Sequence, residues 1–251
     1  MLESDYISGT DICLLLYSQH VLEEDDDYQG LLSGSLSAKN FMYNKIYNLE
    51  ITPDMLALPP CSGSFVLTDI NTGKVKALVS YPGYDANQIN NVSYYASLIN
   101  NSSSPLYNRA TQQTLAPGST FKPISAIAGL EEGVIDADTY ITDYVEYTKV
   151  VPHANCWNSA GHGTINVEQA IEYSCNYFFY EVGYRLGSKN NTTELNDSTG
   201  LALLAKYAKM FGLDSVSGLE LPETTPRISD ESVVRSAIGQ ATHNYTAAEL
   251  A

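Results

Sequence analysis

The sequence predicts an α/β (α+β) chain in which one antiparallel hairpin precedes several helices. The segment SFVLTD-INTG-KVKALVSY, residues 64–81, places two β-prone runs around an Asn-Thr-Gly turn, which is typical of a hairpin. Four later segments carry helix-capping residues or closing glycines. A hairpin followed by helices favours a mixed fold over an all-helical or all-β one.

Helix caps give the bounds of the later elements. Asn166 is a capping residue and Gln169 stands at the reciprocal position of a capping box. Gly133 and Gly212 end two of the predicted helices. The predicted helices cover residues 119–132, 166–173, 176–187 and 201–211; a strand is expected over 142–151, and loops over 86–114 and 190–199.

Charge and hydropathy exclude several classes of protein. The 251 residues carry a net charge of −16, which argues against nucleic acid or an anionic membrane surface as partner. No stretch approaches ~18 uninterrupted apolar residues, so no membrane span is expected. We expect two parts. Residues 1–60 form short helices around an acidic loop, Glu23–Asp27, with a helix starting at Thr52-Pro53, and residues 61–251 form the main domain.

The stretch LAPGSTFKPI, residues 115–124, contains a candidate nucleophile. Pro117-Gly118 is a turn signal, which places Ser119 at the start of a helix, where free N–H groups stabilise negative charge. Lys122 lies three residues further on the same face. A desolvated, neutral lysine could accept the serine proton. A serine-rich chain also produces Ser-x-x-Lys by chance. The alternative that Ser119 is only a helix cap, and Lys122 only a surface charge, therefore remains open.

A second candidate group is Ser174-Cys175-Asn176, at the predicted break between two helices. The hydroxyl of Ser174 could relay a proton, and the amide of Asn176 could hold a substrate backbone group. Ser-x-Asn is also expected by composition and recurs at Ser188–Asn190, which we interpret as a turn. Neither motif is specific by itself.

Five collinear segments together resemble the transpeptidase domain of penicillin-binding proteins, especially the class B members. They are GSFVLTDINTGKVKALVSYPGYDAN, NRATQQTLAPGSTFKPI, GHGTINVEQAIEYSCNYFFYEVG, FGLDSVSGLELPE and SAIGQ, spread over residues 50–251. The family's signatures are Ser-x-x-Lys, Ser-x-Asn and Lys-Thr-Gly. The resemblance implies a serine β-lactamase/transpeptidase-like fold, with an antiparallel sheet flanked by helices.

The resemblance also implies the chemistry. Ser119 would attack the carbonyl between two D-alanines of a peptidoglycan stem peptide, with Lys122 as base and Ser174 as proton relay. Asn176 would bind substrate, and the N–H of Ser119 would be one oxyanion donor. β-Lactams would acylate the same serine. The resemblance implies no cofactor. The expected partners are stem peptides, β-lactams and a wall glycan polymerase. The protein is expected to lie on the outer side of the bacterial cell membrane.

The sequence departs from the family in two respects. No lysine is followed by Thr-Gly or Ser-Gly, so the third motif is not in the sequence, and no membrane anchor is present. We therefore expect a fragment with an incomplete sheet, which reacts poorly with penicillin because an oxyanion donor is worth about 10²–10³ in rate. A serine β-lactamase or β-lactam sensor, and a non-catalytic module that binds wall peptide, remain alternatives.

Several further residues have side chains suited to other roles. His153, Cys156 and His162 are of metal-ligand types, but no fourth ligand is evident, and we expect no metal. Cys156 and Cys175 could lie close together, and two unpaired thiols are favoured over a disulfide. For Arg109 a structural ion pair is favoured over a catalytic role.

Overall fold

A computed structural model describes residues 7–51, 61–189 and 194–251. The described residues up to Ser62, with Ile99–Ser104, form one compact unit. Gly63–Leu98 and Pro105–Ala251 form the other. Within the described ranges, the helices are all too short or too polar to cross a lipid bilayer. The helix predicted from Thr52 lies outside the described residues.

The N-terminal unit is built from short capped helices. Ser8 and Asp11 form a capping box, and Asp25 and Ser37 each accept a backbone N–H of the helix that follows them. The predicted acidic loop was only partly correct, because the cap at Asp25 starts a helix inside the acidic run. The helices are α1 (Gly9–Ser18), α2 (Asp26–Ser33) and α3 (Ala38–Tyr47), and their core is Cys13, Leu16, Tyr17, Leu31, Phe41 and Ile51.

The predicted hairpin is present. Strand β1 (Gly63–Thr68) pairs antiparallel with β2 (Val75–Tyr81), and the register is irregular between Leu67 and Thr68. Asp69 Oδ1 accepts the backbone N–H groups of the turn. Apolar side chains on the hairpin are about half exposed, so much of its apolar surface is open to solvent: Phe65, Leu67, Val79 and Tyr81.

The loop predicted over residues 86–114 was wrong. A 3₁₀ turn (Ala86–Gln88) and helices α4 (Val92–Ile99) and α5 (Arg109–Gln112) interrupt it. The helices are short and begin beside asparagines whose side chains accept backbone N–H groups. With 8 and 4 residues, these helices are too short for a hydrophobic period to be recognised in the sequence, which explains the error. Arg109 is buried and donates to the carbonyl of Tyr107 at 3.4 Å; its ion pair stays a prediction.

The core of the second unit is a set of packed helices. Close approach requires glycine: a Cβ on Gly183 would lie 2.8 Å from the carbonyl oxygen of Val233, and one on Gly200 would lie 2.9 Å from the backbone nitrogen of Gly187. The helix predicted over residues 201–211 begins earlier, at Asp197, because the side chain of Asn196 caps it. The helices are α6 (Lys122–Glu131), α7 (Val167–Glu172), α8 (Asn176–Gly187), α9 (Asp197–Met210), α10 (Val233–Ser236) and α11 (Ala247–Leu250).

Short strands lie between α6 and α7. The single strand predicted over 142–151 is divided, since Val145 adopts a left-handed φ of +71°. Each piece pairs antiparallel with a later segment, which brings the region around residue 156 back towards residue 143. The strands are β3 (Ile141–Asp143) with β6 (Gly163–Ile165), and β4 (Glu146–Tyr147) with β5 (Ala154–Asn155).

Candidate active site

A contact between two glycines fixes the turn that carries Ser119. The N–H of Gly118, at φ +58°, donates to the carbonyl of Gly239 at 2.9 Å. A Cβ on Gly239 would lie 2.0 Å from the Gly118 carbonyl oxygen, so no side chain fits there. The 3₁₀ turn Gly118–Phe121 then leads directly into α6, and Ser119 is exposed to solvent in its first residues.

Lys122 is the buried charge of the site. It is 1% exposed, at the first position of α6. Its Nζ donates to the carbonyl oxygen of Ser174 at 2.6 Å, to Ser174 Oγ at 3.0 Å and to Asn176 Oδ1 at 2.7 Å. All three protons of the ammonium therefore have acceptors, which offsets part of the cost of burying it.

Burial lowers the pKa of Lys122 to about 8. Desolvation is the main cause, and the nearby thiols of Cys175 and Cys156 act in the opposite direction. At pH 7 roughly one such amine in ten is neutral, compared with fewer than about one in a thousand for an ordinary lysine. A neutral amine has a lone pair that can accept a proton, so Lys122 can act as a base near neutral pH.

The second motif occupies a strained turn between α7 and α8. Ser174 adopts a left-handed φ of +51°, which is unfavourable for a residue with a side chain. Its N–H donates to the carbonyl of Ile171, and the N–H of Cys175 donates to that of Ala170. The thiol of Cys175 accepts the N–H of Phe178 at 3.5 Å and so caps α8. The break thus presents both Ser174 and Asn176 to Lys122.

The structure therefore brings together three of the four predicted site residues, Lys122, Ser174 and Asn176. Ser119 lies one turn before Lys122. Within the described part of the chain, the three acceptors of Lys122 Nζ do not include Ser119 Oγ. The predicted contact between Ser119 and Lys122 stays a prediction, and it requires the lysine to release one of its present acceptors.

Four metal-ligand side chains meet directly behind the second motif. One ligand atom from each of Asp143, Cys156, His162 and Cys175 lies within 4.8 Å of the others, and all four residues are buried or half-buried. Cys156 Sγ is 3.9 Å from Cys175 Sγ and 3.5 Å from His162 Nδ1, and that nitrogen is 2.7 Å from Asp143 Oδ2. The two cysteines are unbonded thiols, as the sequence favoured.

The types of these donors and the spacing of the two sulfurs match a tetrahedral zinc ion, whereas His162 Nδ1 and Asp143 Oδ2, hydrogen bonded at 2.7 Å, would have to move apart to the ~3.3 Å that separates two such zinc ligands. With Zn–S bonds of about 2.3 Å, two thiolates on a tetrahedron are about 3.8 Å apart, close to the spacing of the two sulfurs. In the sequence, His153 is the apparent companion of Cys156 and His162, and with no fourth ligand evident no metal is expected. In the structure His153 instead bonds Glu146 at 3.0 Å. Asp143 and Cys175, the missing ligands, are far away in sequence and are brought in by β3 and the α7–α8 break.

Trp157 is a further residue that sequence reasoning missed. Its indole Nε1 donates to the carbonyl oxygen of Ser174 at 3.0 Å, so it shares an acceptor with Lys122. The pairing of β4 with β5 places the segment after β5, and with it Trp157, beside Ser174. No local pattern in the sequence indicates this contact. The only signal in the sequence that could have pointed to Trp157 was its position next to the candidate ligand Cys156.

The family model "Penicillin binding protein transpeptidase domain" matches residues 63–251. The chain belongs to the penicillin-binding protein transpeptidase family. This confirms the resemblance and the fold class inferred from the sequence motifs.

Relatives and solved structures agree with this membership. The chain is 35% identical over 163 residues to peptidoglycan D,D-transpeptidase MrdA of Escherichia coli K12, covering 63% of this chain and 24% of that protein. It superimposes on the imipenem acyl-enzyme of penicillin-binding protein A from M. tuberculosis with a TM-score of 0.64 and 28% identity, covering 76% of this chain and 44% of the other.

A third match is the structure titled "Structural coordination of polymerization and crosslinking by a peptidoglycan synthase complex", with a TM-score of 0.66 and 28% identity. It covers 75% of this chain and 33% of the other. The chain spans about a quarter of the length of MrdA, the curated relative described above.

Proposed function

We propose that the chain carries the acyl-transfer site of a peptidoglycan D,D-transpeptidase, with Ser119 as nucleophile. The supporting observation is the buried amine of Lys122, held by Ser174 and Asn176 one helical turn after an exposed serine. Such an amine, with its lowered pKa, is the base that a serine hydroxyl requires.

In the first step, neutral Lys122 accepts the proton of Ser119 as Oγ attacks the carbonyl between two D-alanines. The backbone N–H of Ser119, at the start of the helix, stabilises the oxyanion that forms. The C–N bond then breaks, and the leaving amine of D-alanine takes a proton relayed from Lys122 through Ser174. The product is an ester of Ser119.

In the second step, an amine from a neighbouring stem peptide attacks the ester carbonyl. Its proton passes to the Ser174–Lys122 pair, the ester C–O bond breaks, and Ser119 Oγ recovers its proton. Asn176 donates its amide N–H to the stem peptide backbone, since its Oδ1 is engaged by Lys122. A β-lactam replaces the first substrate and leaves a long-lived ester on Ser119.

The wider context is part of the proposal. The longer protein would act on the outer side of the cell membrane, with residues 1–60 leading into the transpeptidase domain. A wall glycan polymerase is the proposed partner, by analogy with the peptidoglycan synthase complex whose structure this chain resembles. The net charge of −16 is unsuited to a nucleic acid partner.

A fluorescent penicillin tests the proposal in the longer protein that we propose contains this chain. We expect one covalent label per molecule, located on Ser119 by peptide mass spectrometry and lost in Ser119→Ala. Ser215→Ala, in an exposed loop, is the matched control and should label normally. A label on another residue, or none, refutes the proposal, and rapid release of hydrolysed antibiotic would indicate a β-lactamase instead.

A further inference from the structure

The carbonyl oxygen of Ser174 has two hydrogen-bond donors. Lys122 Nζ approaches it at 2.6 Å and Trp157 Nε1 at 3.0 Å. A carbonyl oxygen has two lone pairs, so both are used. Of the two donors, only the lysine changes its number of protons during the proposed reaction.

Aromatic contacts hold the indole of Trp157 at this position. Its ring lies edge-on against the imidazole of His162, with 5.2 Å between the ring centroids, and that imidazole stacks on Tyr173 at 6.0 Å. Trp157 is nevertheless 65% exposed, so it is not a core residue. An exposed ring that is held in place and directed at one carbonyl is a suitable support for that carbonyl.

Proton transfer changes the number of hydrogen bonds that Lys122 Nζ can donate. As an ammonium it donates to three acceptors, the carbonyl and Oγ of Ser174 and Oδ1 of Asn176. As the neutral base it has two N–H groups, and its lone pair must face Ser119. At least one acceptor then loses its donor. Ser174 is sensitive to the loss of a donor, because its left-handed backbone is strained. Without a hydrogen bond to its carbonyl oxygen, this backbone would relax.

We propose that Trp157 is a positioning residue that keeps the Ser174 carbonyl in place while Lys122 exchanges its proton. The indole N–H does not titrate, so its hydrogen bond persists in both states of the lysine. Trp157 acts through Ser174 on the orientation of Lys122 and does not touch the substrate. This inference rests on the proposed function.

The hydrogen bond is tested first in the chain itself. Trp157 is the only tryptophan of the 251 residues, so its indole N–H gives a single ¹H–¹⁵N signal. We expect hydrogen exchange of this proton to be about tenfold slower than in free tryptophan. Exchange at the rate of the free indole would overturn the inference, whether or not the chain reacts with penicillin.

The role is tested by acylation kinetics in the longer protein. Trp157→Phe keeps a ring against His162 and removes the N–H. We expect the acylation rate constant k2 to fall about 5- to 10-fold while the Kd of the non-covalent penicillin complex stays within about twofold. Trp157→Leu should be no better than Trp157→Phe, since the N–H and not the ring is what k2 requires. Tyr140→Leu, at an exposed ring outside this aromatic cluster, should keep the k2 of the unsubstituted protein.

The outcomes separate the two proposals. If the unsubstituted protein is not labelled on Ser119, the proposed function fails, and the catalytic part of this inference fails with it. If that protein is labelled and Trp157→Phe retains its k2, the inference alone is refuted. A loss of k2 in Tyr140→Leu equal to that in Trp157→Phe would assign the effect to a general change in the domain and would also refute the inference.

Discussion

At the scale of single residues, the burial of Lys122 has the largest chemical consequence. A lysine placed on the surface at this position would remain charged near neutral pH and could not accept a proton. Burial instead lowers its pKa to about 8. The residue is therefore poised between its charged and neutral forms near physiological pH.

The pH dependence of acylation follows from this pKa. Because the neutral amine is the base, k2 should rise with pH and level off above about pH 8. Lys122→Arg, which stays charged, should lose about 100-fold or more in k2 at every pH. Stopped-flow measurement with a chromogenic β-lactam from pH 6 to 9 checks both. A k2 that does not vary over this range would exclude Lys122 as the base.

His243 is a second buried titratable group near the nucleophile turn. It is 3% exposed, its ring packs on Phe121 at 4.3 Å, and burial lowers its pKa to about 4. Nδ1 accepts the N–H of Ser229 and Nε2 donates to the carbonyl of Ser236. Both ring nitrogens are thus used by the neutral form, and a proton on Nδ1 would break the first of these bonds.

Folding stability should depend on His243 between pH 6.5 and pH 4. The unfolded chain binds the imidazole proton near pH 6.5 and the folded chain only near pH 4. The stability is therefore present in full above pH 6.5 and is lost as the pH falls towards 4, by on the order of 3 kcal/mol. Urea unfolding at pH 7 and pH 4.5 measures it. His243→Gln does not titrate, and an equal loss of stability between pH 7 and pH 4.5 in that variant would contradict the prediction.

At the scale of elements, a buried lysine holds the N-terminal helices together. Lys45 of α3 is 2% exposed and pairs with Asp25 before α2, with Asp27 in α2 and with Glu50 after α3. Burial alone disfavours its charge, but the three carboxylates raise its pKa above the ordinary value. Part of the acidic run is therefore structural.

Replacing Lys45 tests this role. Lys45→Met should destabilise the N-terminal unit by about 1–2 kcal/mol, less than for a fully buried pair because the carboxylates are partly exposed. Lys39→Met, on the same helix and exposed, should change stability by less than about 0.5 kcal/mol. Hydrogen exchange of α1–α3 by mass spectrometry distinguishes them, since the single tryptophan lies in the other unit. Equal protection in both variants would argue against the pairing.

The elements also show what the sequence could predict. The hairpin, α6, α7 and α8 carry strong local signals, such as the Asn166–Gln169 capping box, and were predicted within a few residues. Helices α4 and α5 were missed because they are only 8 and 4 residues long, too short for a period to be recognised. The resemblance implied that Lys122, Ser174 and Asn176 serve one site, but it did not give the hydrogen bonds between them. The contact of Trp157 was not, because strand pairing creates it between residues distant in the chain.

At the scale of the whole molecule, the four ligand residues join parts of the second unit that are separate in sequence. Asp143 is at the end of β3, Cys156 and His162 flank the segment between β5 and β6, and Cys175 caps α8. An ion bound here would link these elements directly behind the turn that carries Ser174. Metal binding that requires a folded site adds its free energy to folding.

We expect the chain to bind one zinc ion at this cluster. Removing it with a strong chelator should lower the thermal unfolding midpoint and change the fluorescence of Trp157, whose ring contacts His162. Cys156→Ala should bind little zinc and show no further response to the chelator, whereas Cys61→Ala, at an exposed cysteine, should behave as the unsubstituted chain. Elemental analysis after dialysis gives the stoichiometry. Zinc retained equally by Cys156→Ala and the unsubstituted chain would place the metal elsewhere, and a midpoint unaffected by chelation would exclude a structural role for it.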